Sequence, residues 1–414
     1  MITGNFRWNK GCKIVSNGKE TIVSNESNWL KISTECFDII GEAIRNNCSM
    51  KEVLEAFEDL EDQNYFKVLV QKLQSFGALV ASDYEEKNDI NVYFVLTNRC
   101  NLKCAHCCVC ANEDEKDIDI LSTEDILLTI DKLIELNPFS ITITGGEPLI
   151  RKDIFEILRY LSDNYKGKIF LMTNGLLLNK QNVLDVIPYV DHIDISIDGV
   201  DEETCSAVRG KGVFTKVLDV VDLLHKNNYF KISLSMVFGS NNKHLIETFE
   251  ELNRKHNTTA IVREFAPLGR GKINSELFVS KDKKVISPVL NESLEELRKN
   301  VYVGQCGAIE NGFTIDYTGY IYPCSLLMKE KYILGDVRKI DDLKEWFENH
   351  AFFEAGYRNF QNLIPMISQK CKDCNINIFC WDCLELMDRL SESPEKWEKR
   401  CKAQKKYLEP IVWS

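Results

Sequence analysis

Val92-Tyr93-Phe94-Val95-Leu96-Thr97-Asn98-Arg99-Cys100-Asn101-Leu102-Lys103-Cys104-Ala105-His106-Cys107 decides the fold and the chemistry together. Five apolar residues rich in β-branched and aromatic side chains read as a buried strand, and a polar turn follows. The turn delivers cysteines spaced C-x3-C-x2-C to the strand's carboxyl end, where parallel α/β sheets carry their function. Thiolates at short, irregular spacing are what iron–sulfur clusters need, since each iron takes one protein sulfur. Three ligands against four irons leave one iron open to a further ligand.

Outward from this strand the pattern repeats. Apolar strand-like runs occur at Ile141–Thr144, Ile169–Met172, Ile193–Ile197, Ile232–Val237 and Ile261–Phe265. Helical patterns near 122–137, 153–165, 179–190, 213–228 and 244–257 lie between them. Six strands with five intervening helices predict an α/β fold with a parallel sheet, open or rolled into a partial barrel. The loops after the first four strands carry Cys100–Cys107, Gly145–Glu147, Asn174–Gly175 and Ser196–Gly199.

Residues 1–84 form a separate block. Short strands at Lys13–Ser16, Thr21–Ser24 and Trp29–Ile32 precede three helices, the first capped by Thr34, the second by a Ser49/Glu52 capping box, the third running Asn64–Phe76 until Gly77. With a final strand at Ala78–Ser82 the pattern is winged-helix-like, although acidic runs such as Glu55–Asp62 speak against DNA. Asp83–Asn88 reads as a charged linker before a central block at 85–300. Beyond 301 periodicity weakens, Phe313–Asp316 and Tyr320–Tyr322 make a hairpin about Thr318–Gly319, and cysteines accumulate. That segment is expected to have little core of its own and to be held by clusters.

The chain has 414 residues, 51 Lys and Arg against 63 Asp and Glu, and a net charge of -12. This balance argues against nucleic acid and anionic membrane as partners. Neither a signal segment nor a membrane span is visible, so a cytoplasmic location is expected, where thiols stay reduced and clustered cysteine reads as metal-binding. Cys12, Cys36, Cys48 and Cys205 read as packing residues, and Cys108 and Cys110 as loop residues. Zinc is the competing reading for the clustered cysteines.

The ordered motifs resemble the radical S-adenosylmethionine superfamily over roughly residues 90–280: the cysteine trio, then Thr144-Gly145-Gly146-Glu147-Pro148, Thr173-Asn174-Gly175 and Ser196-Ile197-Asp198-Gly199. The resemblance implies a partial (β/α)6 TIM-like barrel. It also implies a [4Fe–4S] cluster on Cys100, Cys104 and Cys107 whose open iron chelates S-adenosyl-L-methionine, cleaved to a 5′-deoxyadenosyl radical. By the same carry-over His106, Gly145, Gly146, Glu147, Asn174, Ser196 and Arg209 are cofactor-binding, with Arg209 a carboxylate partner and Pro267–Gly271 the adenine-side loop.

Cys306, Cys324, Cys371, Cys374, Cys380, Cys383 and Cys401 are similar in spacing to the SPASM extension of peptide-modifying radical enzymes, with two residues where the family usually has three before the penultimate ligand. The resemblance implies two auxiliary [4Fe–4S] clusters, three clusters in all. One takes Cys371, Cys374, Cys380 and Cys401; the other takes Cys306, Cys324 and Cys383, with a fourth position left for another group or a substrate thiolate. The 1–84 block resembles the leader-recognition element related to a pyrroloquinoline-quinone chaperone. The implied activity is oxidative crosslinking of a ribosomally made precursor peptide bound through its leader, as a Cys sulfur-to-carbon thioether, with flavodoxin or ferredoxin as low-potential donor. Carbon–carbon or carbon–oxygen crosslinking, peptide epimerisation, sulfatase-type protein maturation and a non-catalytic iron–sulfur scaffold are the alternatives.

Overall fold

The computed structural model describes residues 4–85, 89–111, 119–279 and 294–414; residues 86–88 of the expected linker lie outside them. The chain divides into two compact units, neither contiguous in sequence: 1–87 with 286–306 and 359–414, and 88–285 with 307–358.

The first unit opens with β1 (Phe6–Trp8), then the antiparallel meander β2 (Lys13–Ser16), β3 (Glu20–Asn25) and β4 (Asn28–Ser33). Helices α1 (Thr34–Arg45), α2 (Met50–Glu55) and α3 (Leu60–Ser75) follow, and β5 (Leu79–Ala81) returns to pair with β1. The Ser49/Glu52 capping box is present. Two starts differ from expectation. Ser33, not Thr34, caps α1, because its hydroxyl accepts from Cys36 N. Helix α3 begins four residues early, at Leu60, because the Asp59 carboxylate accepts from Glu61 N and Asp62 N and satisfies two orphan amides. Ile40, Phe66, Val70 and Leu73 close the helical face over Val23 of the meander.

A second apolar cluster in this unit joins Val15 and Ile22 to Val301, Val303, Ile376, Ile378, Phe379, Leu408, Ile411 and Val412. The cysteine-rich segment, expected to have little core of its own, thus shares an apolar cluster with Val15 and Ile22 of the first block. Its irregular backbone masks the apolar spacing, which gathers only through the C-terminal helix Pro394–Trp413.

The second unit holds one nine-stranded sheet. Strands β6 (Asn91–Val95), β7 (Ser140–Thr144), β8 (Lys168–Thr173), β9 (His192–Ser196), β10 (Ile232–Phe238) and β11 (Thr259–Glu264) are parallel neighbours in sequence order. Helices α4 (Thr123–Leu136), α5 (Ile154–Asn164), α6 (Glu202–Arg209), α7 (Val213–Lys226) and α8 (Ile246–Lys255) lie between them, and α9 (Arg270–Ile273) follows β11. The expected 179–190 helix is instead two single turns, Val183–Asp185 and Ile187–Tyr189, because Pro188 has no N–H to continue a helix.

The predicted hairpin, β12 (Gly312–Ile315) and β13 (Tyr320–Tyr322), continues this same sheet. Strand β12 runs parallel beside β6, and β14 (Gly335–Asp336) ends the order. Asp316 Oδ1 accepts from Thr318 N and Tyr320 N, and Gly319 takes φ +90° to close the turn. Among the described residues no helix is long and apolar enough to cross a membrane.

Replacing Asp59 with Ala should lower stability by about 1 kcal/mol, the usual worth of an N-cap. A denaturant midpoint matching the parent's would contradict that cap.

Candidate functional site

The loop after β6 brings the three cysteines to the carboxyl end of the sheet, with Cys100 and Cys104 buried and Cys107 half-buried. Burial pushes the Cys100 thiol up to about 11, and Glu147, Cys104 and Cys107 add to the rise. Cys104 is likewise raised by burial, with the Arg209 guanidinium opposing it. Cys107 N donates to Cys104 O at 3.3 Å, which holds those two residues in one turn. Among the described residues no set of His, Cys, Asp or Glu converges on one point as a single metal ion requires. A four-iron cluster makes no such demand, since its sulfurs bind separate irons.

The loop is fastened from three sides. From β7, Gly146 N donates to Thr97 O at 2.7 Å and Glu147 N to Arg99 O at 2.8 Å. A Cβ on Gly146 would fall 2.3 Å from Arg99 O, so only glycine permits this approach. Glu147 is fully buried and spends its carboxylate internally, accepting from Thr173 Oγ1, Asn174 N and Leu149 N. Burial pushes its pKa up against those three bonds. Asn174 donates to Asn101 Oδ1 at 2.8 Å and reaches Cys100 Sγ at 3.9 Å.

From β9 comes a residue the sequence reading quoted without assigning a role. Asp198 sits at φ +50° and is 2% exposed. Its Oδ2 takes Arg209 Nη2 at 2.6 Å, Arg209 Nε at 2.7 Å and His106 Nε2 at 3.0 Å, while Oδ1 takes Val237 N at 2.7 Å. Burial opposes the charge, but Arg209 and His106 hold the carboxyl well below its ordinary range. Arg209 Nη1 continues to Cys104 Sγ at 3.7 Å. His106 Nδ1 is buried with no partner among the described residues. Ser196, half-buried, receives the Ser235 hydroxyl at 3.5 Å.

From behind, α9 grips the loop. Arg270 donates through N to Cys107 O, through Nε to Cys104 O and through Nη1 to Ala111 O, all at 2.8–2.9 Å, and Asn274 Nδ2 donates to Ala105 O. The Gly269-Arg270-Gly271 sequence was the available signal for this residue. A Cβ on Gly269 would sit 2.5 Å from both Cys107 O and Cys108 O.

The first unit contains its own cysteine site. Cys371, Cys374, Cys380 and Cys401 line a single cavity of about 80 Å³ with Trp397, Arg400 and Lys405. Burial lifts Cys380 to about 11, opposed by Arg400, and Cys371 is raised by burial with Cys374 and Cys401 acting on it. Four thiols around one cavity with cations at its wall fit an anionic four-iron cluster. Cys306 and Cys383 belong to this unit and Cys324 to the other. Cys205 is fully buried, pushed up to about 12, and a Cβ on Gly199 would collide with it, so it packs as expected.

Residues 94–252 match the radical SAM superfamily and residues 306–375 the SPASM iron–sulfur cluster-binding domain. The mycofactocin maturase MftC of Mycobacterium tuberculosis is 27% identical over 62% of this chain and 70% of its own. The subtilosin biosynthesis protein AlbA of Bacillus subtilis is 28% identical over 71% of this chain and 67% of its own. The crystal structure of Streptococcus suis SuiB bound to S-adenosylmethionine superposes with a TM-score of 0.55 at 15% identity, covering 94% of this chain and 97% of that one. The chain thus carries a radical SAM domain and a SPASM iron–sulfur cluster-binding domain. It is an enzyme with peptide-maturase relatives, and S-adenosylmethionine and [4Fe–4S] clusters are its cofactors.

Replacing Asp198 with Asn leaves Arg209 buried without its counter-ion and should cost about 3 kcal/mol. The native carboxyl is depressed, so its contribution is present above the unfolded pKa of ~3.9 and is lost as pH falls below it. Unfolding curves of the two proteins should therefore converge in acid. A difference that widens in acid would contradict this assignment.

Proposed function

We propose that this enzyme matures a ribosomally made precursor peptide by installing an oxidative crosslink, a thioether from a Cys sulfur to a carbon. In this reading Cys100, Cys104 and Cys107 hold the cluster that carries S-adenosylmethionine, which when bound supplies a 5′-deoxyadenosyl radical. His106, Gly145, Gly146, Glu147, Asn174, Ser196 and Arg209 shape that pocket. Glu147 and Arg209 act largely through the loop, since their bonds run to Asn174, Thr173, Asp198 and Cys104.

The observation that carries the proposal is the four-cysteine cavity in a unit separate from the three-cysteine loop. A second redox site suits a reaction that removes two electrons from substrate, whereas epimerisation removes none and needs a thiol hydrogen donor. That donor would be Cys108, Cys110 or Cys205, of which Cys205 is sealed from solvent and the other two are exposed. Cys371, Cys374, Cys380 and Cys401 hold one auxiliary cluster; Cys306, Cys324 and Cys383 are the ligands the family resemblance assigns to the other, whose remaining iron is available to a substrate thiolate. The relatives add support, being named for mycofactocin maturation and subtilosin biosynthesis, and a SuiB structure is bound to its precursor peptide SuiA at a TM-score of 0.53.

Residues 1–84 bind the leader, 85–300 form the radical domain and 301–414 the auxiliary domain. The meander and helices of the first block suit strand addition, in which an extended peptide pairs with a sheet edge. A flavodoxin or ferredoxin supplies the electrons, and the cytoplasm is the setting.

High-resolution mass spectrometry of coexpressed precursor should show a loss of two hydrogens per ring, with the mapped Cys resistant to alkylation. An unchanged mass with inverted residues would replace crosslinking by epimerisation. Deleting residues 1–83 should abolish turnover of the full precursor; full turnover without them would contradict leader binding there.

A further inference from the structure

A barrel interior with nothing to bind fills with branched aliphatic side chains. One face of this sheet departs from that, setting polar side chains among Phe170, Met172 and Val237. Residues aligned across strands share a face, and the register aligns Asp194 with Ser233 and Ser196 with Ser235. His192, two positions before Asp194, and Thr142, aligned through Phe170 with His192, lie on that same face. The opposite face carries Ile141, Ile143, Ile193, Ile195 and Leu234, all buried. Such a division places hydroxyls and a carboxylate where core residues would be cheaper to bury.

Asp194 is 5% exposed, and its Oδ2 receives Arg263 Nη2 at 2.5 Å. Its Oδ1 is buried without a hydrogen-bond partner among the described residues. The Ser233 and Ser235 hydroxyls lie close enough to favour its charge by hydrogen bonding, and each has a second neighbour, His192 Nε2 at 3.0 Å from Ser233 and Ser196 Oγ at 3.5 Å from Ser235. Arg263 has a side chain 35% exposed. Its guanidinium carries five N–H donors in a rigid fork, and the bond to Asp194 orients that fork at the sheet face.

We infer that Asp194 and Arg263 form a site for a substrate amide, the carboxylate accepting its N–H and the guanidinium donating to its carbonyl. The charges select the ligand class. A carboxylate ligand would face Asp194 and an ammonium would face Arg263, whereas a neutral peptide unit satisfies both. Asp194 lies two residues before Ser196 on β9, roughly 7 Å further from the carboxyl edge where the cysteine loop sits. The site therefore serves the substrate rather than the cofactor, and it rests on the reading that the substrate is a peptide.

The test compares the full-length reconstituted enzyme with D194A, R263A and the uncharged double variant D194L/R263L, which removes both buried charges together so that neither is stranded. The KM for the precursor peptide should rise at least tenfold in all three. Affinity for the isolated leader peptide and the melting temperature of the double variant should stay at parental values. A double variant with parental KM would make the pair purely structural and overturn the assignment. A parent enzyme that cleaves S-adenosylmethionine but modifies no peptide would defeat the peptide reading, and this site with it.

Discussion

An arginine and a histidine share one buried carboxylate beside the three-cysteine loop. Asp198, two residues past β9, takes a left-handed conformation and holds Arg209, from the end of α6, together with His106 of the three-cysteine loop. A carboxylate so deeply buried persists only when paired and hydrogen-bonded, and here Val237 N supplies the remaining bond. Through Arg209 the same charge reaches Cys104 Sγ. The loop is thus positioned before any metal arrives, with Arg270 gripping its carbonyls from α9 and Gly146 and Glu147 bonding its backbone from β7. This arrangement resolves a conflict inherent in burying thiols. Apolar surroundings raise their pKa and oppose the thiolate that binds iron, while the Arg209 guanidinium offsets part of that rise at Cys104.

The four-cysteine cavity uses the same physics in different surroundings. Arg400 and Lys405 stand at its wall, and Trp397 closes it beneath Lys370 at 5.0 Å. Cations near thiols favour the charged ligand set and offset the negative charge that a bound cluster brings. Each unit therefore supplies its own electrostatics to its own cysteine group.

Six parallel strands were legible because each apolar run is short, β-branched and followed by a turn, and the observed bounds differ from the expected ones by one or two residues. The cysteine groups were legible from spacing. Other features needed three dimensions. Asp198 and Arg270 act through partners 11 and more than 150 residues away, so no local window exposes them. Hairpin residues 312–322 join the large sheet through pairing with β6, more than 200 residues upstream. The polar face around Asp194 was hidden because alternation within a five-residue strand shows two faces without saying what covers either. At 179–190 the apolar periodicity outweighed Pro188 in the reading, and backbone chemistry prevailed in the fold.

The central claim is that the loop at Cys100, Cys104 and Cys107 presents an open iron to S-adenosylmethionine. Electron paramagnetic resonance of a variant lacking all seven downstream cysteine ligands, reduced with dithionite, isolates that cluster. Adding S-adenosylmethionine should change the g-values of its signal, as expected when an amino and a carboxylate group join the fourth iron. A [4Fe–4S] signal unaltered by saturating cofactor would contradict the account.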